Sequence, residues 1–238
     1  MKDYVNTLIE KGYSVAENYL NLDEVASWQN NWNDIQKRAL LEEYKIKEIN
    51  KNDMPNYNVV YKEDNNYVWK STGKIKETTE GKILIDKILS DLQTINPNIE
   101  FMYDKFINQK KDYQGHAPHQ DNAVGKNESH TQELYSAYIS LTDTNEESGC
   151  LWVENADPKR QDSLKYCDTG CVAGNDCFCS NIKLLPTDMK RWKGHELIPL
   201  PLKKGDCVFF DGWVLHGTAS NLSQNIRQTM IFHYGVMR

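Results

Sequence analysis

The sequence predicts a mainly β fold, a sandwich or barrel of short strands buttressed by an N-terminal layer of helices. Three observations lead there. From residue 98 onward, some seven short segments rich in β-branched and aromatic residues alternate with turn residues. Before residue 97 the apolar residues recur at helical spacing instead. No internal repeat and no linker-like stretch divides the 238 residues, a length that one domain accommodates.

Taken in order, the chain begins helix, strand, helix. Gly12-Tyr13-Ser14-Val15-Ala16 reads as a short strand, and Asn21 or Asp23 can cap the helix entering EVASWQNNWNDIQKRALLEEY. Val25, Trp28, Trp32, Ile35, Ala39 and Leu40 keep to one face of that helix, which makes the two tryptophans core. Residues 50–80 are rich in Asn and Lys and read as a solvated face with strand-like pieces at YNVVY and YVWK. A further helix over 80–95 carries an apolar stripe of Ile83, Leu84, Ile88, Leu89, Leu92 and Ile95, and Pro97 stops it. The strands then follow at 101–108, around His119, and at 134–143, 150–155, 195–202, 206–212 and 227–235. Gly149, Gly205 and Gly217 punctuate them. One domain over 1–238 is expected, with 1–97 as mixed helical support and 98–238 as the β part, interrupted by a Cys-rich insertion at about 158–194.

Composition narrows the function. Hydrophobic residues make up 39% and charged residues 26%, a globular profile; the mean hydropathy is -0.71. No apolar run approaches the roughly 20 residues of a membrane span. A net charge of -6 argues against nucleic-acid binding, which draws its affinity from clustered Lys and Arg. The N-terminal segment has no basic stretch followed by an apolar one, and the last three residues are not a peroxisomal address. The expectation is a cytoplasmic protein with a small-molecule partner, no nucleic acid and no membrane.

Three features of the β half carry chemistry together. In Pro118-His119-Gln120-Asp121, positions two apart on a strand point the same way, so His119 and Asp121 can present an imidazole and a carboxylate to one point. His216 follows in the run FFDGWVLHGT. Two histidines and one carboxylate with open positions is the set that suits non-haem Fe(II) and oxygen. Arg227 stands eleven residues after His216, beyond a turn-like Ser220-Asn221-Leu222-Ser223. A hairpin there would bring its planar fork beside the strand of His216, ready to grip a carboxylate bidentately.

On these residues the chain resembles the phytanoyl-CoA dioxygenase family of Fe(II)/2-oxoglutarate oxygenases. KGYSVAENYLNLDEV is similar to the family's opening segment, APHQDNA to its metal-binding strand and YISLTDTNEESGCLWV to the strands after it. LKKGDCVFFDGWVLHGTASNLSQNIRQTMIFHYG is similar to its C-terminal signature. The resemblance implies a double-stranded β-helix (a cupin-like jelly roll) in which His119, Asp121 and His216 bind Fe(II). It implies that 2-oxoglutarate chelates the iron while its distal carboxylate meets Arg227, helped by the Thr218 hydroxyl. It also places Asn108 and Lys105 where relatives carry polar contacts to cosubstrate or substrate, and Tyr138 where an aromatic borders the site, a ring that packing alone explains equally well. The implied reaction consumes O2 and 2-oxoglutarate, releases succinate and CO2, and hydroxylates a small metabolite: an amino acid, an amine or a natural-product intermediate. Halogenases of this general class lack the carboxylate, so Asp121 favours hydroxylation, or a related desaturation or cyclisation. ENADPKRQ (154–161) departs from the turn that many members place after the Gly-Cys-Leu strand, which affects the substrate-side loop and not the metal set.

The remaining cysteines and histidines read more plainly. Cys150 and Cys207 sit in apolar runs and behave as small hydrophobes. Cys167, Cys171, Cys177 and Cys179 crowd one segment. Their C-x3-C-x5-C-x-C spacing suits a structural zinc poorly, and a loop acting as a lid is the first reading, zinc the second. His116 and His130 read as loop residues and His195 as the start of a strand. His233 shares the strand face of Arg227 but lies about 20 Å further on, which reads as core or far-end lining. Two other functions stand beside the oxygenase: a non-catalytic small-ligand-binding β-helix, and an interaction protein stabilised by zinc on the Cys cluster. An Fe(II)/2-oxoglutarate charge-transfer band discriminates the first, and metal analysis with Cys177→Ser the second.

Overall fold

The computed structural model describes residues 2–41, 62–63, 67–68, 70–73, 75–113, 115–124, 131–154, 183–192 and 194–237. For 34–41, 62–63, 67–68, 70–72, 123–124, 131–132 and 237 it describes the backbone alone.

Helix α1 (Asp3–Lys11) ends at Gly12, whose φ of 76° lets its N–H return to the Leu8 carbonyl and turns the chain into β1 (Tyr13–Ala16). α2 (Leu22–Leu41) follows, opened by Asn21, whose side-chain oxygen accepts from the N–H groups of Asp23 and Glu24. Val25, Trp28 and Trp32 are buried as the helical spacing predicts, and Trp32 stacks on Phe106 with centroids 4.0 Å apart. Ile35, Ala39 and Leu40 lie outside the described side chains. Short strands β2 (Lys62–Glu63), β3 (Tyr67–Val68) and β4 (Lys70–Thr72) lead to a 3-10 turn at Ile75–Glu77. α3 (Thr79–Leu92) starts where the Thr78 hydroxyl accepts from the Gly81 N–H at 2.9 Å. Its stripe differs from the expected one by one position. Ile83 is 65% exposed and Ile85 is buried, because the helix turns Leu84, Ile85, Ile88 and Leu92 toward the sheet. Pro97 falls in the turn beyond.

Eight strands then build a double-stranded β-helix: β5 (Ile99–Gln109), β6 (His116–His119), β7 (Thr131–Ser140), β8 (Leu151–Glu154), β9 (Leu197–Leu200), β10 (Cys207–Asp211), β11 (His216–Thr218) and β12 (Arg227–Met237). A short helix α4 (Asp121–Val124) follows β6, and α5 (Pro186–Lys190) precedes β9. Except at β8–β9, successive strands alternate between two sheets. One has the order β1-β10-β7-β12-β5-β4, the other β6-β11-β8-β9. This is the expected fold, with an N-terminal strand added at each edge of the larger sheet.

Three apolar clusters hold the layers. The largest lies between helices α1–α3 and the outer face of the six-stranded sheet, with Trp28, Trp32, Phe106, Phe209, Phe232 and Tyr234. A second fills the space between the sheets, with Tyr138, Leu151, Val153, Val208 and Phe210. The third packs α5 onto the outer face of the smaller sheet through Trp152, Met189 and Leu197. Cys150 and Cys207 are free and buried, and burial pushes the Cys150 thiol up to about 12, so both act as apolar filling. Cys167, Cys171, Cys177, Cys179, His130 and residues 155–161 lie outside the described residues. Among those described, no helix is long and apolar enough to cross a membrane.

Candidate metal and cosubstrate site

Strand register decides what faces the interior of the β-helix. Directly paired residues share a face, and four rows cross the larger sheet. Phe210, Ser136, His233 and Tyr103 form one row, and Val208, Tyr138, Ile231 and Lys105 the next. Thr229 stands opposite Ser140 and Ile107, and Arg227 opposite Gln109. Since Val208, Tyr138 and Phe210 belong to the cluster between the sheets, all these rows point inward.

The smaller sheet brings the two histidines together. His119 ends β6 and is the direct Cα partner of His216 on β11. Between this pair and the next, β6 carries one residue more than β11, a bulge of the kind that re-aims side chains beside active sites. The imidazole centroids are 4.4 Å apart, and Phe210 lies 4.3 Å from the His216 ring. Asp121 does not continue the strand, as alternation predicts. It opens α4, because Asp is favoured at a helix start, and the corner swings its carboxylate inward. Asp121 Oδ1 comes 3.5 Å from His119 Nε2 and 3.8 Å from His216 Nε2. One ligand atom from each of the three lies within 4.8 Å of the others.

Hydrogen bonds fix which nitrogens face each other. His119 Nδ1–H donates to the Ala117 carbonyl at 2.9 Å and His216 Nδ1–H to the Val214 carbonyl at 3.0 Å. Both Nε2 lone pairs are left for a metal, the usual outer-partner arrangement of ligating histidines. Burial pushes the His216 imidazole down to about 4, against the upward pull of Asp121. Burial alone would raise the Asp121 carboxyl, but His216 and His119, with His233 behind, hold it well below the usual carboxylate range. A buried neutral His216 beside a carboxylate is the charge state a divalent cation requires.

Arg227 is 3% exposed at the start of β12. β11 and β12 belong to opposite sheets, so no hairpin pairs them as expected. Instead the guanidinium crosses the interior, and its Nη2–H reaches the Thr218 hydroxyl at 3.4 Å. The same hydroxyl accepts the His116 N–H at 3.1 Å, which places His116 at the start of β6 and not in a loop. Nε and Nη1 of Arg227 are buried with no hydrogen-bond partner among the described residues. Leaving such donors unmet costs several kcal/mol, so the arrangement calls for an anion. Tyr138 lies fully inside the barrel near Arg227 and Thr229. Burial raises its phenol, and the Arg227 charge partly offsets that.

Asn108 does not join this set. It pairs with Gln228, whose side chain meets Gln29 of α2, and so stands on the helix-facing side. The β5 residue across from Arg227 is Gln109. Lys105 faces inward opposite Ile231, with its Nζ 5.1 Å from the Tyr103 ring centroid. His233 stands six residues beyond Arg227 on β12, and it is not remote lining, since its Nδ1 lies 3.7 Å from Asp121 Oδ2. Ser136 stands between them and has no counterpart in the sequence reading. The signal for it was a polar residue at the parity of Tyr138 inside the run Leu134–Ile139, whose other residues are apolar or aromatic. His195 pairs with Glu154 at 2.8 Å on the smaller sheet.

Comparison with known proteins agrees with this fold. The family model for phytanoyl-CoA dioxygenase (PhyH) matches residues 8–229. No curated protein matches the chain. Among solved structures, EvdO2 from Micromonospora carbonacea var. aurantiaca complexed with 2-oxoglutarate superposes with a TM-score of 0.67 at 15% identity, covering 100% of this chain and 92% of its own. The epimerase SnoN in complex with Fe3+, alpha ketoglutarate and nogalamycin RO gives 0.63 at 16% identity, covering 98% and 82%. EctD from S. alaskensis in its apoform gives 0.66 at 14%, covering 98% and 75%.

Proposed function

The chain belongs to the phytanoyl-CoA dioxygenase family of iron- and 2-oxoglutarate-dependent oxygenases, and from that premise we propose that it hydroxylates a small metabolite in the cytoplasm through the His119–Asp121–His216 site. His119 Nε2, His216 Nε2 and Asp121 Oδ1 are assigned as the Fe(II) ligands. Three protein ligands leave room for the cosubstrate and O2. When bound, iron and 2-oxoglutarate supply the oxidising chemistry: the cosubstrate leaves as succinate and CO2, and one oxygen atom passes to the substrate. The protein orients and encloses. Arg227 grips the distal carboxylate, with the Thr218 hydroxyl completing the anchor and Tyr138 closing the wall beside it. Lys105 faces the same interior and adds positive charge there. Phe210 and Ile231 keep the space between the sheets apolar and exclude water.

The observation that carries this reading is the Arg227 guanidinium, buried with Nε and Nη1 unpaired among the described residues, on the same interior as the three ligands. A carboxylate held in the Nη1/Nη2 fork or in the Nε/Nη2 fork gives one of those donors its partner. Structural neighbours bear on the outcome of the reaction, not on the site: SnoK is a carbocyclase and SnoN an epimerase, both alpha ketoglutarate dependent. A substrate screen that reads succinate above the uncoupled background, followed by product mass, separates the outcomes. Gain of one oxygen atom marks hydroxylation, loss of two hydrogens desaturation or cyclisation, and unchanged mass epimerisation. In the first step, anaerobic Fe(II) with 2-oxoglutarate gives a visible charge-transfer band. Arg227→Met raises the 2-oxoglutarate concentration that produces it on the order of 100-fold. A wild-type chain that gives no band is a binding protein and not an oxygenase.

A further inference from the structure

Asp121 meets the other side of the barrel as well as the two histidines. Its Oδ2 accepts a hydrogen bond from the Ser136 hydroxyl at 2.8 Å, and Ser136 Oγ lies 2.9 Å from His233 Nδ1. Ser136 and His233 are direct Cα partners on β7 and β12, and both are buried, at 0% and 4% exposure. Ser136 has one proton and Oδ2 takes it, so the His233–Ser136 bond requires His233 to donate from Nδ1. The direction of the chain is therefore fixed: His233 Nδ1–H to Ser136 Oγ, then Ser136 O–H to Asp121 Oδ2. His233 Nε2 is left bare, and it has no partner among the described residues.

We infer that Ser136 and His233 are positioning residues that engage Asp121 Oδ2 from behind and leave Oδ1 as the single oxygen offered to the metal. This rests on the assignment of Asp121 as an iron ligand. The physical reason lies in the α4 corner. Asp121 opens a four-residue helix just after β6, so no strand pairing of its own holds its side chain. With Oδ2 free, the carboxylate could turn away and take Oδ1 off the line to the metal. Two hydrogen bonds in series, anchored on the rigid β7–β12 pair, prevent that turn. Outer partners of this kind typically govern metal affinity by roughly 10–100-fold.

The test uses the full-length chain with metal alone and with metal plus 2-oxoglutarate, both anaerobic. Fe(II) affinity is titrated, and Co(II) substitution reports ligand geometry through its visible band. Ser136→Ala, which adds no bulk, and His233→Leu are each expected to weaken Fe(II) binding by roughly 10–100-fold and to shift the Co(II) band. His233→Asn places an N–H where Nδ1–H stands and is expected to retain wild-type affinity within about threefold. Asp121→Ala serves as the reference for loss of the ligand itself. If Asp121→Ala loses metal while Ser136→Ala keeps wild-type affinity and an unshifted band, the positioning role is wrong and the iron assignment stands. If Asp121→Ala binds Fe(II) like wild type, the iron assignment itself fails. His233→Asn as weak as His233→Leu would remove His233 from the chain of donors. Should His233→Leu not fold, Ser136→Ala decides alone.

Discussion

Asp211, at the end of β10, lies outside the site, and its Oδ1 accepts the Trp213 N–H at 2.7 Å. Burial, opposed by that hydrogen bond and aided by Glu133, raises its carboxyl to about 6. A carboxyl raised on folding holds its proton more tightly in the native state. Its stabilising effect is complete below the unfolded value of 3.8 and is lost as pH rises through about 6. The difference amounts to roughly 3 kcal/mol above that window. Asp211→Asn keeps the acceptor for Trp213 and removes the ionisation. It is therefore expected to raise the melting temperature at about pH 8 and to leave it nearly unchanged at about pH 4. An equal gain at both pH values would show that the carboxylate is not strained by burial. Asp121 goes the other way, held down by neighbouring histidines, so one residue type serves two opposite ends within a few strands.

At the level of elements, the site depends on how closely β6 and β11 approach. Gly217 lies between His216 and Thr218 on β11. A Cβ there would stand 2.6 Å from the His116 carbonyl oxygen and 2.9 Å from the Pro118 nitrogen, all of it backbone. Backbone cannot yield as a side chain does, so Gly217→Ala must push β6 away from β11. Overpacking of this kind costs about 1–3 kcal/mol. Because β6 carries His119 and β11 carries His216, the ring pair opens with the strands. Weaker Fe(II) binding, on the order of tenfold by titration, together with a lower melting temperature, is the expected outcome. An unchanged affinity in a folded Gly217→Ala protein would mean that the pairing of the two strands does not set the ligand distance.

The whole molecule couples its core to its ligands. Two sheets close around a guanidinium whose Nε and Nη1 no described residue meets, so the ligand-free barrel holds an uncompensated charge at its centre. Binding a carboxylate there stabilises the entire cooperative unit by mass action. At 2-oxoglutarate about a hundredfold above its dissociation constant, the Fe(II)-loaded chain is expected to melt roughly 5–10 °C higher, read anaerobically by calorimetry. Arg227→Met should retain the increment from Fe(II) and lose the one from 2-oxoglutarate. A 2-oxoglutarate increment that survives in Arg227→Met would place the distal carboxylate elsewhere.

Sequence alone determined the β-rich class, the helical layer before it and four of the groups at the site. His119, Asp121, His216 and Arg227 sit in short runs whose local grammar exposes them: a His-x-Asp, a His-Gly-Thr, an arginine opening the last strand. Local grammar ends where two distant strands must be set in register. The strand 99–109 is covered on both faces, so its apolar residues carry no alternation from which phase could be read. Asn108, expected at a polar contact to cosubstrate or substrate, stands instead on the helix-facing side, while Gln109 is the residue across from Arg227. The expected hairpin after His216 failed for a related reason, since a turn does not reveal whether the next strand joins the same sheet or crosses to the other. Ser136 and His233 are 97 positions apart and meet only because β7 and β12 pair in one particular register. Tertiary structure alone brought them to Asp121, because the contact arises from the pairing of strands and not from either residue's neighbours along the chain.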